Sequence, residues 1–517
     1  MASDGTERPR APSGTPEVLT STSKTAPVEE VAAKADRLRT ASPCPSAPLG
    51  ETFAHSPGSR MGSFDTDAFG VLLRMNVEVC QKLKSRFMLS SQPDASGWRR
   101  RGVIAGLTAG AAVLAGLGHA PSVRGQGKPH LVVIGGGAGG LSVARRVAEG
   151  GGVAVTVIEA NPRYLACFWS NHVLGGLEPR DAVLFDYAGV RAAGIEVVHA
   201  RATAVDRDRQ EVRTDDGGRI GYDRLVMAPG IGFRDVPGYD AAAAEVMPHA
   251  YDTHPRTHDI LLRQLRDMPD GGKVLMSVPS GPYRCPPAPY ERVNMIAHYL
   301  KQTKPNSRIQ VIDGKNQFLH QALTQNAWND LYEGMIEWLP ADFIGEVREV
   351  DASARTLKTD FENFTGDVVN FIPPQQADPL AHQTGLTDAA GFCPVLFPSM
   401  RSERDARIFV VGDAIEAHSM PKAATAAVSQ ARSCAGQIRA DLVEAQPADP
   451  RLELACYSFL DAEHALINAS SYRPTAAGGV ERASVENSDA EESAQVRRNQ
   501  AAKAKRWYRG VTLHLFG

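Results

Sequence analysis

The chain has 517 residues, 43% of them hydrophobic and 22% charged, with a formal net charge of −3. That length predicts several domains, the composition excludes a wholly disordered protein, and the near-neutral charge gives no whole-chain case for nucleic acid. Seven cysteines without a CxxC pair exclude a disulfide scaffold, and the lack of CxxCH means that the chain attaches no c-type haem of its own.

Residues 1–87 read as a disordered extension, rich at first in Ser, Pro, Thr and Ala, and Cys44 and Cys80 fall within it. The segment "SGWRRRGVIAGLTAGAAVLAGLGHA" follows. Arg99 to Arg101 precede a short Gly/Ala/Leu run that ends in small residues, which predicts a twin-arginine export signal over 88–120, a start at Met88 and a periplasmic location. The run is short and glycine-rich for a membrane span, which needs about 20 apolar residues. A basic linker before a buried helix is the alternative.

"PHLVVIGGGAGGLSVARRVAEGGGVAVTVIEANP" comes next. An apolar strand runs into Gly135-x-Gly137-x-x-Gly140, then an amphipathic helix, then a strand ending at Glu159. Gly135 suits the tight turn, Gly137 the close approach of a pyrophosphate, and Gly140 the packing of helix on strand. Glu159 is spaced to accept hydrogen bonds from ribose hydroxyls. This is a dinucleotide fingerprint in its full context. Two distant segments favour FAD over NAD. One is "YDRLVMAPG", a strand ending in the small turn at Pro229 and Gly230; the other is "ARIFVVGDAIEA", a strand running into Gly412 and Asp413. Asp413 alone would equally suit a helix N-cap.

Between them lies "GGKVLMSVPSGPYRCPPAPYERVNMIAHYLKQ", again strand, loop and helix but without GxGxxG. Three prolines remove N–H donors where a pyrophosphate would approach. A second Rossmann-like domain that has lost its phosphate cradle is expected over 245–370, so a nicotinamide is not the expected electron carrier. The expected fold is therefore α/β: two doubly wound Rossmann-like domains of the disulfide-reductase type plus a C-terminal α+β domain. The FAD-binding parts span 129–244 and 371–440, and the last domain 441–517. Cys285 precedes a helix start, whose positive end is expected to lower its pKa. Cys393 lies in "GFCPVLFP" and Cys167 in "RYLACFWSN". For Cys285 and Cys393 an incidental buried cysteine stays open, and Cys434 and Cys456 read as core residues.

From about residue 129 onward the chain resembles the flavoprotein subunit of flavocytochrome c sulfide dehydrogenase. "YLACFWSNHVLGGL", "MAPGIGFR", "PYRCPPAPYERVNMIAHYLK", "GLTDAAGFCPV", "VVGDAIEAHSMPKAA" and "CYSFL" carry the resemblance, in order. It implies FAD bound covalently through Cys167, a redox-active disulfide between Cys285 and Cys393, and Glu291 near that disulfide handling protons. A helix-start glutamate favoured by the dipole is the alternative for Glu291. The resemblance also places Lys422 and Trp507 near the flavin. Hydrosulfide or a related small sulfur compound would be the substrate, and a separate c-type cytochrome subunit the electron acceptor. Two segments depart from the family. Ala166-Cys167-Phe168-Trp169 replaces Thr-Cys-Pro-Phe, and Ala-Ala-Thr follows Lys422 in place of Ser-Gly-Tyr. The rival readings are a sulfide:quinone oxidoreductase and a non-catalytic flavin-binding partner protein.

Overall fold

The computed structural model describes residues 127–447 and 450–517. The extension, the arginine-led run, Cys44 and Cys80 lie outside the described residues. Strand β1 (His130–Ile134) leads to helix α1 (Ala138–Glu149), and β2 (Ala154–Ile158), β3 (Glu196–Val198) and β4 (Arg224–Met227) follow. Next come β5 (Lys273–Val278), α2 (Ala288–Thr303), β6 (Arg308–Asp313), β7 (Ile336–Leu339) and β8 (Val368–Asn370). The chain then forms β9 (Ile408–Val410), α3 (Ala424–Val443), β10 (Leu452–Phe459), β11 (Ala465–Pro474), β12 (Val480–Asn487) and α4 (Ala494–Phe516).

Strand β9 returns to the first sheet, whose parallel core runs β9-β4-β1-β2-β3, edged by the short antiparallel strands Val395–Leu396 and Arg401–Ser402. All five residues of β1 are buried, the near-continuous apolar run expected of a parallel strand covered on both faces. The second sheet is also parallel, in the order β7-β6-β5-β8. Strands β10, β11 and β12 form a third, antiparallel sheet, and α4 follows it. The α/β class and the two Rossmann-like sheets expected from the sequence are both present.

The two Rossmann-like units begin alike and diverge at the turn after their first strand. After β1, Gly135 takes φ +100° and a Cβ there would lie 2.2 Å from the Ala228 carbonyl oxygen. A Cβ on Gly140 would lie 2.0 Å from the Gly135 carbonyl oxygen, so α1 sits against its own entry turn only because that side chain is absent. After β5 the turn is packed instead. The Tyr283 hydroxyl donates to the Pro286 carbonyl, Arg284 N–H to Gln375 Oε1, and Cys285 N–H to the Lys422 carbonyl at 2.6 Å. Asp313, at the end of β6, corresponds to the position that Glu159 holds at the end of β2. It is fully buried, taken up by the Tyr290 hydroxyl, the Trp338 indole N–H and Lys315 Nζ.

Gly140→Ala is expected to lower stability by about 1–3 kcal/mol, the range for inserting a methyl group into packed structure. Gly510→Ala, in α4 with open space where its Cβ would go, is expected to raise it by about 0.4–1 kcal/mol. Urea midpoints of the two variants against the parent check both signs. Equal midpoints would remove the close approach of α1 to its entry turn as a constraint.

Candidate functional site

The N-terminus of α1 opens into a cleft between the first sheet, α2 and the third sheet. Of the residues expected from the sequence, Gly135, Gly137, Glu159, Pro229, Gly230, Gly412 and Asp413 line it. Cys167, Cys285, Glu291 and Trp507 line it too. Gly140 lies behind, in the packing of α1 on β1. Cys393 and Lys422 are not among the lining residues.

The first turn of α1 carries no acidic side chain, and its Gly137 N-cap makes no side-chain hydrogen bond. The helix start thus offers backbone N–H groups and a partial positive charge to a phosphate. The Glu159 carboxylate is fixed at the end of β2 by the Gly136 N–H at 2.7 Å and the Asn161 N–H at 2.8 Å. Opposite, a short turn at Gly412–Ala414 is tied down by Gln430 Oε1, which accepts from the Gly412 N–H. Asp413 pairs loosely with Arg284 at 3.7 Å, and Asp413 Oδ1 and Arg284 Nη2 are buried without a hydrogen-bond partner. An orphaned acceptor and an orphaned donor in one cleft, beside a glycine phosphate cradle, fit a ligand that carries both hydroxyls and phosphates. FAD is such a ligand. Burial raises the Asp413 pKa against the lowering pull of Arg284 and Lys422.

At the other end of the cleft, α2 starts at a proline N-cap, and three of its side chains turn inward. Glu291 Oε2 accepts from Asn171 Nδ2 at 2.8 Å, and Oε1 accepts from the Phe459 N–H of β10 at 3.1 Å. Burial pushes its carboxyl pKa up to about 7, with those two donors and Arg292 opposing. Glu291 is therefore no exposed helix-start glutamate. Arg292 donates to Asn171 Oδ1, to Asn370 Oδ1 and to the carbonyls of His249 and Ala250. Asn294 Nδ2 donates to the Phe459 carbonyl at 2.8 Å.

All five cysteines among the described residues are free thiols. Cys285 has a left-handed backbone, φ +54°, rare for a non-glycine residue. Interaction with the neighbouring Cys456 thiol, then burial, then Glu291 and Cys167, raise its pKa well above the usual thiol value. This corrects the expectation of a lowered value: the helix end is outweighed by a buried thiol partner and nearby acidic groups. Cys393 is fully buried beside the Gly412–Ala414 turn, its N–H donating to the Ala414 carbonyl at 2.9 Å. Burial pushes its pKa up to about 12, against the pull of Lys422. Lys422 Nζ donates to the Ile415 carbonyl and stands 3.7 Å from the centre of the Phe392 ring. Burial brings its pKa down to about 8, with Asp413 and Glu416 opposing.

Cys434 is buried in α3, as expected. Cys456 is buried in the core, as expected, and also lines the cleft. Asn171, Arg284 and Arg292 were not singled out from the sequence, because each acts through partners distant in the chain; only the run of polar residues inside "YERVN" hinted at a buried polar helix face.

Comparison with known proteins gives three family matches. Residues 129–266 match the pyridine nucleotide-disulphide oxidoreductases. Residues 258–373 match the central part of the sulfide dehydrogenase (flavocytochrome c) flavoprotein chain, and residues 448–516 match the flavin-binding part of flavocytochrome c sulphide dehydrogenase. The mitochondrial sulfide:quinone oxidoreductase of Mus musculus is 22% identical over 319 residues, which cover 59% of this chain and 68% of that protein. Its counterpart in Dictyostelium discoideum is 22% identical over 333 residues, 60% and 70% respectively. Among solved structures, the sulfide:quinone oxidoreductase of Aquifex aeolicus superposes with a TM-score of 0.60 at 19% identity, covering 75% of this chain and 92% of that one. An NAD-dependent persulfide reductase from A. fulgidus gives 0.52 at 20% identity, with 68% and 65% covered. At those identities the structures speak for the fold alone. The two flavocytochrome matches lie on the stretches that carry Cys285, Glu291, Cys456 and Trp507, and support the resemblance to flavocytochrome c sulfide dehydrogenase flavoprotein chains.

Proposed function

We propose that this flavoprotein oxidises sulfide with FAD held in the cleft, through a redox exchange at Cys285 and Cys393, and passes the electrons to a c-type cytochrome. The observation that carries the reading is the shared cleft: Cys285 and Glu291 face the same space as the Gly135, Gly137 and Glu159 nucleotide fingerprint. FAD, when bound, supplies an acceptor for an electron pair that can later be released singly. The α1 N-terminus and Glu159 would hold its nucleotide half, and Asp413 with the Gly412 turn its polyol. Cys167, on the cleft wall, would be the point of covalent attachment.

Cys285 and Cys393 flank Lys422, one through its backbone carbonyl and the other through its ammonium group. Joined as a disulfide, they present an electrophile. Hydrosulfide attacks the sulfur of Cys285, a new S–S bond makes a persulfide, and Cys393 leaves as a thiolate beside the Lys422 cation. Glu291, with a pKa of about 7, takes or gives the proton near neutral pH. A quinone acceptor is the second reading, favoured by the sulfide:quinone oxidoreductases among the relatives. Among the described residues no helix is long and apolar enough to cross a membrane, and α4 carries four basic residues between Lys503 and Arg509.

Three outcomes are expected. In the presence of sulfide, the holoprotein reduces cytochrome c faster than a soluble quinone analogue; the reverse order would replace the acceptor. After acid denaturation, flavin fluorescence stays on the polypeptide, whereas Cys167→Ser releases the flavin to the supernatant. Freely extracted flavin from the parent protein would rule out the covalent bond.

The third outcome concerns Glu291. Its folded pKa of about 7 lies above its unfolded value of 4.5, so its contribution to stability is full below pH 4.5 and is lost as pH rises through 7. Glu291→Gln does not ionise. The apoprotein variant is therefore expected to gain about 2–3 kcal/mol on the parent between pH 5 and pH 8, by urea denaturation, and to lose the pH step near 7 in sulfide-driven flavin reduction. Parallel stability curves would remove Glu291 as the titrating group.

A further inference from the structure

Cys456 reaches the cleft from β10, on the inward face it shares with Leu452 and Leu454. Its thiol neighbours that of Cys285, and both residues line the cleft. This contact is held from both sides. Glu291, one helical turn into α2, grips the Phe459 N–H only three residues beyond Cys456, and Asn294 grips the Phe459 carbonyl. The Cys285 backbone is fixed in its left-handed conformation by the 2.6 Å bond from its N–H to the Lys422 carbonyl and by the Ala288 N–H donating to its own carbonyl at 2.8 Å. Neither sulfur sits there by the accident of a mobile loop.

We propose that Cys456 is a third redox thiol of this site and takes Cys285 as an alternative disulfide partner; the exchange rests on the reading of Cys285 and Cys393 given above. The Cys456 thiol gives its proton to the Glu291 carboxylate and attacks the sulfur of Cys285. The Cys285–Cys456 bond forms as the Cys285–Cys393 bond breaks, and Cys393 departs with the electron pair as a thiolate beside Lys422. No oxidant or reductant is consumed, and the step runs in either direction. The oxidised site then has two forms. One presents the bond between Cys285 and Cys393, and the other holds Cys285 oxidised while Cys393 is free.

The test is disulfide mapping of the flavin-loaded protein. The protein is oxidised with diamide, its remaining thiols are blocked with N-ethylmaleimide, and it is digested without reduction and read by mass spectrometry. The parent is expected to yield two linked peptide pairs, Cys285 with Cys393 and Cys285 with Cys456. Cys393→Ser should yield the Cys285–Cys456 pair alone, with loss of both thiols, and Cys456→Ser the Cys285–Cys393 pair alone. A parent with only the Cys285–Cys393 pair overturns the proposal and leaves the proposed function standing. A parent with only the Cys285–Cys456 pair supports the new pairing and overturns the role given to Cys393. A Cys393→Ser variant that keeps its flavin absorbance but carries blocked thiols at both Cys285 and Cys456 also overturns the proposal. Should that variant not fold, the parent's map decides.

Discussion

A single buried carboxyl joins the parts that make this site. Glu291 takes the Asn171 amide with one oxygen and the Phe459 backbone N–H with the other, so the short helix Asn171–Leu174, α2 and β10 meet at one group. Asn294, three residues on and so on the same face of the helix, completes the grip by donating to the Phe459 carbonyl. Two side chains thereby satisfy the Phe459 N–H and carbonyl at the end of β10, where another strand would otherwise pair. A carboxyl in that setting resists ionisation. The same burial that lets it hold three elements together brings its pKa into the range where proton transfer at neutral pH is easy.

The two nucleotide-binding frames of the chain show how one topology is directed to two uses by its backbone N–H groups. After β1 the glycine turn leaves the helix start free, and the acid at the end of β2 faces the cleft. After β5, Pro282, Pro286 and Pro287 have no N–H to offer, and those of Arg284 and Cys285 are committed to Gln375 and Lys422. The acid in the equivalent place, Asp313, is consumed by Tyr290, Trp338 and Lys315. The second frame has become a rigid mount for Cys285. Its Arg292 is the clamp, reaching Asn171 of the first unit and Asn370 of the second sheet from one guanidinium.

Much of the fold was legible because its signals are local. The glycine spacing, the strand before it and Glu159 after it all lie within 30 residues, and each follows from a steric or electrostatic demand of the turn itself. The loss of GxGxxG after β5 was equally plain. What failed depended on distance along the chain. The pKa of Cys285 was read from its own helix, whereas the deciding neighbour, Cys456, comes from a strand 171 residues later. Cys456 looked structural because "ELACYSFL" alternates like any half-buried strand; only the contact of β10 with α2 shows which face its cysteine serves. Asn171 and Arg292 were invisible for the same reason. Lys422, expected near the flavin, has its ammonium group on the Ile415 carbonyl and over the Phe392 ring.

Helix α4 carries a consequence for the order of assembly. Trp507 forms part of the cleft wall, while Tyr508 donates to the Ala182 carbonyl at 2.6 Å and Arg145 of α1 donates to the Leu515 carbonyl at 2.9 Å. The last helix thus closes over a cavity whose floor is made more than 300 residues earlier. The last helix therefore supplies one wall of the cleft, and the fingerprint at the start of the described chain supplies another. A ligand seated there is bounded by residues drawn from both ends of the described chain, so its site is complete only once the last helix is in place.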